Sequence, residues 1–168
     1  MTGTAAYPSP VGMLRLRWED GAVTSLQRAE APEIADAPNE LTDLVFRQLD
    51  EYFAGTRKAF DFPCRIRGTP FQKAVWSALR DIPYGETRSY KGIAEAIGHP
   101  KAFRAVGMAS HANPIIIAIP CHRVIGTNGS LIGYAAGIDM KNALLQLERS
   151  NRESSESSNL VEEKYHAF

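Results

Sequence analysis

The sequence predicts a small α/β unit, made of a β-sheet and a helix, followed by a mostly α-helical unit that contains a helix-turn-helix. Three observations predict this order. Strand-like runs on both sides of a Glu19-Asp20-Gly21 turn predict a β-hairpin. A helical repeat of apolar residues then ends at Gly55, and beyond Gly68 short helical segments alternate with Pro and Gly. We therefore expect one domain over residues 1–66 and a second over residues 67–150.

The first unit is predicted from two local patterns. Residues 13–18 and 22–27 have the composition of strands, and a polar connector over residues 32–39 separates them from the helix. The helix is predicted because apolar residues recur at helical spacing from Leu41 to Phe53. Hairpin and helix together make a small α/β domain.

The second unit is predicted from helix caps and helix breakers. Thr69-Pro70 is typical of a helix start, and Ser89 can cap a short helix over residues 90–97. A further helix over residues 101–112 stops at Asn113-Pro114. Two short helices joined by a Gly-containing turn are typical of a helix-turn-helix, although any αα-hairpin has the same pattern.

The chain beyond Pro114 leads to a cysteine. Residues 115–119 form an apolar run that predicts a buried strand, and Pro120-Cys121-His122-Arg123 follows it directly. A Gly-rich stretch then precedes a last helix with several leucines. Residues 151–168 are polar and rich in Ser and Glu, which predicts a flexible tail.

Composition and charge narrow the class of protein. No run reaches the roughly 18 apolar residues of a membrane helix, and the start lacks the pattern of a signal peptide. We therefore expect a cytoplasmic protein. The net charge is zero, but residues 67–150 contain 10 Lys and Arg against 5 Asp and Glu, a net charge of +5. This excess suits a polyanion such as DNA, although a solvated basic face explains it almost as well.

The chain has two cysteines, Cys64 and Cys121, and no paired spacing of cysteine or histidine, so we expect neither a metal site nor a disulfide framework. The sequence leaves the role of Cys64 undecided and favours a buried structural thiol over a functional one. Cys121 follows the predicted strand, where a rigid turn can expose a thiol and where His122 and Arg123 favour its thiolate. The alternative is that Cys121 is a buried small hydrophobic residue, as most isolated cysteines are.

The order of several motifs resembles one family of DNA-repair proteins. Asn113-Pro114, the apolar run, Pro120-Cys121-His122-Arg123-Val124 and Gly133-Tyr134 are ordered as in the O6-alkylguanine-DNA alkyltransferases, also called methylated-DNA-protein-cysteine methyltransferases. The resemblance is strong over residues 68–148 and covers the first unit in outline. It implies a ribonuclease H-like N-terminal domain and a winged-helix-like C-terminal domain.

The resemblance implies a catalytic group around Cys121, which would accept the alkyl group. His122 would be the base that activates Cys121 through a water, and Glu148 would be the carboxylate that orients His122. An imidazole that takes a proton needs a fixed tautomer, which a carboxylate on its other nitrogen provides. Asn113 would tie the helix-turn-helix to the active-site segment. Without the resemblance, Glu148 is a surface helix residue and Asn113 a residue of a helix end.

The resemblance also implies how DNA would be held. A base inside a duplex cannot reach a buried thiol, so the nucleotide must be flipped out. Arg104 would fill the gap in the base stack, and Tyr90 would rotate the target phosphate and donate a proton or hydrogen bond to guanine N3. Lys101 and Arg123 are further expected DNA contacts. Small residues near Arg104 would let the helix lie close in the minor groove, or else they pack helices together: Ala102, Ala105, Gly107 and Ala109.

The guanine pocket would be lined by Tyr134 and by the backbone around Val124, Ala135 and Ala136. Ala136 stands where many relatives have glycine, and its methyl group would narrow the pocket. Two other positions depart from the commonest family pattern, Phe103 and Ile116.

Together these features predict direct repair of damaged DNA. We expect stoichiometric, irreversible transfer of an alkyl group from O6-alkylguanine, and from O4-alkylthymine, in double-stranded DNA to Cys121. The protein would be a monomer and would need no cofactor. Three rival classes share part of the pattern. An alkyltransferase-like binding protein lacks the acceptor cysteine, a Cys-His-Glu hydrolase leaves Arg104 unexplained, and a helix-turn-helix regulator normally reads the major groove as a dimer.

Overall fold

In the computed structural model, a small antiparallel sheet with one helix is followed by a helical unit, which confirms the predicted fold class. The structure describes residues 1–30, 34–129, 134 and 136–166, with side chains described as far as residue 152. Within these ranges, no helix is both long enough and apolar enough to cross a membrane.

The N-terminal sheet contains three antiparallel strands in the order β1 (Thr2–Ser9), β2 (Gly12–Glu19) and β3 (Ala22–Arg28). Both residues of the turn between β2 and β3 have positive φ, Asp20 at 47° and Gly21 at 78°, as a two-residue hairpin turn of this kind requires. The predicted hairpin is confirmed. The sequence did not predict β1, because its small residues and its proline obscure the alternation of a strand.

Helix α1 (Glu40–Phe53) packs against this sheet. The Asn39 side chain accepts a hydrogen bond from the Thr42 amide, and the Thr42 hydroxyl accepts one from the Asn39 amide, both at 2.9 Å. Such a cap contributes about 1 kcal/mol to stability. Tyr52, near the end of α1, is fully buried, and its hydroxyl reaches into the C-terminal domain.

Helix α2 (Pro70–Arg80) opens the C-terminal domain, as Thr69-Pro70 predicts. Thr69 caps it, because the Thr69 hydroxyl accepts from the Gln72 amide at 3.1 Å. The indole nitrogen of Trp76 donates to the Ala109 carbonyl at 2.8 Å. This bond ties α2 to the helix-turn-helix that follows.

The helix-turn-helix consists of α3 (Tyr90–Ala96) and α4 (Phe103–His111). The Ser89 hydroxyl caps α3 by accepting from the Gly92 amide at 2.9 Å, and the turn between the helices contains Gly98 at a φ of 81°. Both helices lie within the predicted ranges: α3 ends one residue earlier, and α4 begins two residues later and ends one residue earlier.

A short parallel pairing joins the helix-turn-helix to the chain beyond the cysteine. Strand β4 (Arg88–Ser89) pairs with β5 (Val124–Ile125), and neither strand was predicted. Since β4 ends where α3 begins, the pairing brings Tyr90 close to the segment that contains Cys121.

The strand predicted over residues 115–119 is wrong. Ile115 alone forms a bridge, with Leu26 of β3, and the chain then turns tightly, with Ile117 at a φ of 72°. A straight strand of five residues would carry the chain about 17 Å onward. The observed turn instead returns it, so that Cys121 lies beside Asn113.

Helix α5 (Ile138–His166) ends the described chain. The predicted last helix is present, and it continues into residues 151–166, where the sequence predicts a flexible tail. The mobility of this segment stays a prediction. Near its start, α5 buries Met140, Lys141 and Leu144 against the domain core.

Candidate active site

Cys121 is the first residue of a single 3-10 helical turn, Cys121–Arg123, and is 4% exposed. The side-chain amide of Asn113 donates to Cys121 Sγ at 3.0 Å. A donor on the sulfur stabilises the thiolate relative to the thiol. Asn113 therefore favours the ionised, nucleophilic form of Cys121.

Asn113 holds the turn in three further directions. Its Nδ2 also donates to the Ile119 carbonyl at 2.7 Å, and its Oδ1 accepts from the Ile115 amide at 3.0 Å. Its own carbonyl accepts from the Gln27 side chain at 2.8 Å. Because Asn113 directly follows the C-terminal cap of α4, these bonds support its expected role of tying the helix-turn-helix to the active-site segment.

The Glu148 carboxylate, on α5, is the acceptor at the centre of the site and is fully buried. Its Oε2 accepts hydrogen bonds from the Tyr52 hydroxyl at 2.6 Å and from Arg123 Nη2 at 3.1 Å. The same oxygen lies 2.6 Å from His122 Nε2. Its Oε1 accepts from Arg123 Nε at 2.8 Å and from the Gly85 amide at 3.1 Å. Three segments of the fold thus contact one carboxylate: α1, the turn that contains Gly85, and the 3-10 turn.

These contacts determine the charge on Glu148 and the tautomer of His122. Burial raises the pKa of Glu148, but the hydrogen bonds from His122 and Arg123, with the positive charge of Arg123 and, when it is protonated, that of His122, outweigh this and lower the pKa well below its ordinary value. Burial lowers the pKa of His122, with the neighbouring cations Arg123 and Lys141 adding to this and Glu148 opposing it. His122 is therefore neutral and donates from Nε2 to the carboxylate, which leaves a lone pair on Nδ1. Nδ1 is buried and has no hydrogen-bond partner in the described part of the chain.

Burial raises the pKa of the Cys121 thiol to about 11, and the Asn113 hydrogen bond and the charge of Lys141 oppose this rise. The resting residue is therefore a thiol. The expectation that His122 and Arg123 favour the thiolate is wrong in this state, because both side chains are directed to Glu148.

Lys141 is a functional candidate that the sequence analysis missed. It lies on α5, fully buried, and its ammonium donates to the Val124 carbonyl at 2.5 Å. Burial lowers the pKa of Lys141 to about 8, while negative charge on Cys121 raises it. The signal available in the sequence is a lysine seven residues before Glu148 on the same helix, since this spacing places both on one face.

Tyr90 and Tyr134 lie on two sides of this group. Tyr90, the first residue of α3, is half-buried, and the Lys141 ammonium lies 5.8 Å from the centre of its ring. Burial and then the charge of Cys121 raise the pKa of both tyrosines, so each keeps its proton. Tyr134 is buried and Ala136 half-buried, and Ala135 lies outside the described residues. The guanine-pocket assignment stays a proposal.

Arg123 does not lie where a DNA contact would be made. Its side chain is 7% exposed, and Nη1 donates to the Ile82 carbonyl at 2.7 Å while Nε and Nη2 donate to Glu148. The expectation that Arg123 contacts DNA is therefore corrected. Its guanidinium orients Glu148 from within the core.

The outer face of α4 has the composition of a DNA-contacting surface. Arg104, Lys101 and Ala105 are exposed, and Ala102 is half-buried. Gly107 faces Tyr90, because a Cβ atom at Gly107 would lie 3.9 Å from the Tyr90 ring. Ala109 is buried, which agrees with the alternative that it packs helices together. The face also includes two large exposed apolar residues, Phe103 and Met108.

A buried thiol, a neutral histidine oriented by a carboxylate, and an exposed arginine on a helix-turn-helix define the class: a protein with a cysteine nucleophile beside a nucleic-acid-binding motif. Family models identify it further. The ribonuclease-like domain of 6-O-methylguanine DNA methyltransferase matches residues 7–66, and the DNA binding domain of the same protein matches residues 70–150. The chain belongs to the 6-O-methylguanine DNA methyltransferase family.

Individual relatives agree with this assignment. The methylated-DNA--protein-cysteine methyltransferase of Methanosarcina barkeri is 59% identical over 149 residues, which cover 85% of this chain and 94% of the relative. A crystal structure of Mycobacterium tuberculosis O6-methylguanine methyltransferase is 45% identical, with a TM-score of 0.83, covering 90% of this chain and 94% of that one. A structure of Mycobacterium tuberculosis OGT in complex with DNA is 47% identical, with a TM-score of 0.80, covering 88% and 93%.

Proposed function

We propose that this protein repairs DNA by direct reversal, transferring the alkyl group of O6-alkylguanine in double-stranded DNA to Cys121. Two hydrogen bonds carry the proposal: Asn113 donates to the buried Cys121 thiol, and the adjacent residue His122 is bonded through Nε2 to the ionised Glu148, which leaves a lone pair on Nδ1. Relatives named for methylated DNA and a relative solved with DNA support the same substrate.

The transfer is an in-line displacement at the alkyl carbon. The Cys121 proton passes to Nδ1 of His122 through a water, the sulfur forms a bond to the alkyl carbon, and the carbon–O6 bond breaks. Its electron pair leaves with guanine, and a hydrogen bond from Tyr90 to guanine N3 stabilises the negative charge. Lys141 and Asn113 stabilise the sulfur anion as it forms, since both oppose the rise in the Cys121 pKa.

Several finer features belong to the same proposal. O4-alkylthymine presents an equivalent alkyl–oxygen bond and is the expected second substrate. No cofactor takes part, and the protein acts as a monomer in the cytoplasm.

Repair is expected to stop at one event per molecule, because the thioether on Cys121 has no good leaving group. With an O6-methylguanine duplex in excess, repaired guanine should reach a plateau at about one per protein, and intact mass should show one added methyl group. The measurement is product release over time together with mass spectrometry. A plateau well above one per protein contradicts the proposal and favours the hydrolase class.

Arg104 is proposed to occupy the space that the flipped nucleotide leaves in the duplex. It is exposed on α4 and makes no hydrogen bond or ion pair within the described residues, so its guanidinium is available to DNA. Extruding a base costs a few kcal/mol, which an inserted side chain partly offsets. Phosphate contacts from residues such as Lys101 are independent of this step.

Arg104→Ala is therefore expected to slow repair in duplex DNA by about 100-fold, the equivalent of losing a few kcal/mol of support for the flipped state. A free O6-alkylguanine base needs no flipping and should react with Cys121 at nearly the wild-type rate. Single-turnover rates on both substrates make the comparison, with Lys101→Ala as a control that alters the salt dependence of binding instead. Equal slowing on both substrates would remove the base-flipping assignment.

A further inference from the structure

The last residue of β3 reaches from the N-terminal sheet to the C-terminal domain. Arg28 Nη1 donates to the Ala136 carbonyl at 2.8 Å and to Asp139 Oδ1 at 3.1 Å, and Nη2 donates to Asp139 Oδ2 at 3.1 Å. One guanidinium thus binds two residues, Ala136 and Asp139, that are three positions apart in the chain. A planar fork of fixed geometry suits this task, and a flexible lysine does not.

Ala136 and Asp139 are each two positions away in sequence from a side chain of the active site. Ala136 lies two residues after Tyr134, and Asp139 is in the first turn of α5, two residues before Lys141. Tyr134 and Lys141 are both close enough to Cys121 to interact electrostatically with its thiolate. The Arg28 bonds therefore hold the backbone on which both of these side chains are carried.

Strand β3, which ends with Arg28, also contacts the other side of the active site. Leu26 of β3 donates its amide to the Pro114 carbonyl at 2.9 Å and accepts from the Ile116 amide at 3.0 Å. Gln27 donates to the Asn113 carbonyl at 2.8 Å. Three consecutive residues of β3 therefore contact two segments of the site. Leu26 and Gln27 bind residues 113–116, before Cys121, and Arg28 binds Ala136 and Asp139.

Stability does not account well for this arrangement. The Arg28 and Asp139 side chains are 34% and 71% exposed, and ion pairs at such exposure contribute little to folding. Gly137 adopts a φ of 104°, and a Cβ atom there would lie 3.1 Å from Arg28 Nη1 and 2.6 Å from Asp139 Oδ1. The backbone at Gly137, between Ala136 and Asp139, thus has the conformation and the free space that let the Arg28 guanidinium approach.

We propose that Arg28 is a positioning residue for alkyl transfer, through which the N-terminal sheet sets the distance of Tyr134 and Lys141 from Cys121. The proposal rests on the proposed function and extends it to the N-terminal domain. Arg28 does not touch the substrate; it acts through Ala136 and Asp139. Misplacing reacting groups by about 1 Å can cost up to 100-fold in rate, so loss of the three bonds has a measurable effect.

The test is the reaction of Arg28→Met with free O6-benzylguanine, which excludes any effect on DNA binding. We expect the rate constant of alkylation to fall by about tenfold, while all of the protein is eventually alkylated. The melting temperature should stay within about 3 °C of wild type. Asp139→Asn keeps the bond to Ala136 and should lose less, and the double variant should be no slower than Arg28→Met.

Arg67→Met is the matched control, because Arg67 Nη2 also makes two hydrogen bonds to one carboxylate, that of Glu19 on β2, at 2.9 and 3.1 Å. It should react as wild type does. Unchanged alkylation by Arg28→Met, an equal loss in Arg67→Met, or a lower end point instead of a lower rate would overturn the proposal. None of these outcomes affects the proposed function, provided that the methylated duplex alkylates the wild-type protein. If the wild-type protein does not react with that duplex, both the proposed function and the positioning role of Arg28 are wrong.

Discussion

Cys121→Ser is expected to abolish alkyl transfer while the protein still folds and binds duplex DNA. A serine hydroxyl is a far weaker acid than a thiol, so neither His122 nor the Asn113 hydrogen bond can supply an oxygen nucleophile at neutral pH. The exchange is small and keeps an atom that can accept from Asn113. Intact-mass spectrometry after incubation with an O6-methylguanine duplex should show no added methyl group, and a binding assay on the same duplex should show wild-type affinity.

Cys64→Ser is the control within the same chain. Cys64 is half-buried, its thiol donates to the Phe62 carbonyl at 3.4 Å, and burial raises its pKa. Nothing in this environment favours the Cys64 thiolate, and the variant should be methylated at the wild-type rate. A methyl group found on Cys121→Ser, or missing from Cys64→Ser, would contradict the assignment of the acceptor.

Glu148→Gln is expected to have the second-largest effect, on activity and stability together. Five donors converge on the carboxylate, and an amide offers one oxygen and directs its own N–H groups at the other donors. The Arg123 guanidinium is left buried without its counter-ion, which costs about 3–5 kcal/mol. For a chain of this length that corresponds to a fall in melting temperature of roughly 6–20 °C. His122 also loses its fixed tautomer, and transfer should slow by about 100-fold or more.

The pH dependence of stability gives an independent measurement of this network. The pKa values of Glu148 and His122 are both lowered in the folded protein, so the unfolded chain binds more protons between the folded and unfolded values. Stability is therefore fully present above about pH 6.5 and is lost as the pH falls, first through His122 and then, below about pH 4.3, through Glu148. Glu148→Gln lacks the Glu148 part of this loss, while Asp20 and Asp139, whose pKa values are also lowered in the folded protein, still contribute. Melting curves from pH 7 to pH 3 should therefore show a smaller fall below about pH 4.3 in the variant than in wild type, and an equal fall would contradict the assignment.

The sequence predicts those parts of the fold that local signals determine. Helix α1 follows from apolar spacing, α2 from its start at Thr69-Pro70, and the hairpin from Asp20-Gly21, since each signal involves residues within four positions. The run at residues 115–119 has the composition of a strand and yet turns, because Leu26 pairs only with its first part and Asn113 holds the remainder back. Contacts across the chain overrule local preference at this point.

The active site could likewise be predicted from the sequence only where its residues are close together in the chain. Cys121, His122 and Asn113 are close in sequence, and their arrangement was accessible through motif order. Glu148 could be assigned only through family resemblance, since in isolation it is an ordinary charge on a helix. Tyr52 contacts Glu148 across 96 positions of chain, and no local pattern distinguishes it from other buried tyrosines. Arg123 was misassigned because sequence cannot tell whether a cation faces solvent or a buried carboxylate.

The bond from Tyr52 to Glu148 bears on how far this protein can be shortened. The chemistry is confined to the C-terminal domain, so a fragment of residues 67–150 would contain every group that reacts. That fragment would also leave one lone pair of its central carboxylate without the Tyr52 donor, and would expose the Asn113–Ile116 backbone that β3 now covers. Removal of the N-terminal half would therefore loosen the surroundings of the nucleophile, although it takes away no reacting group.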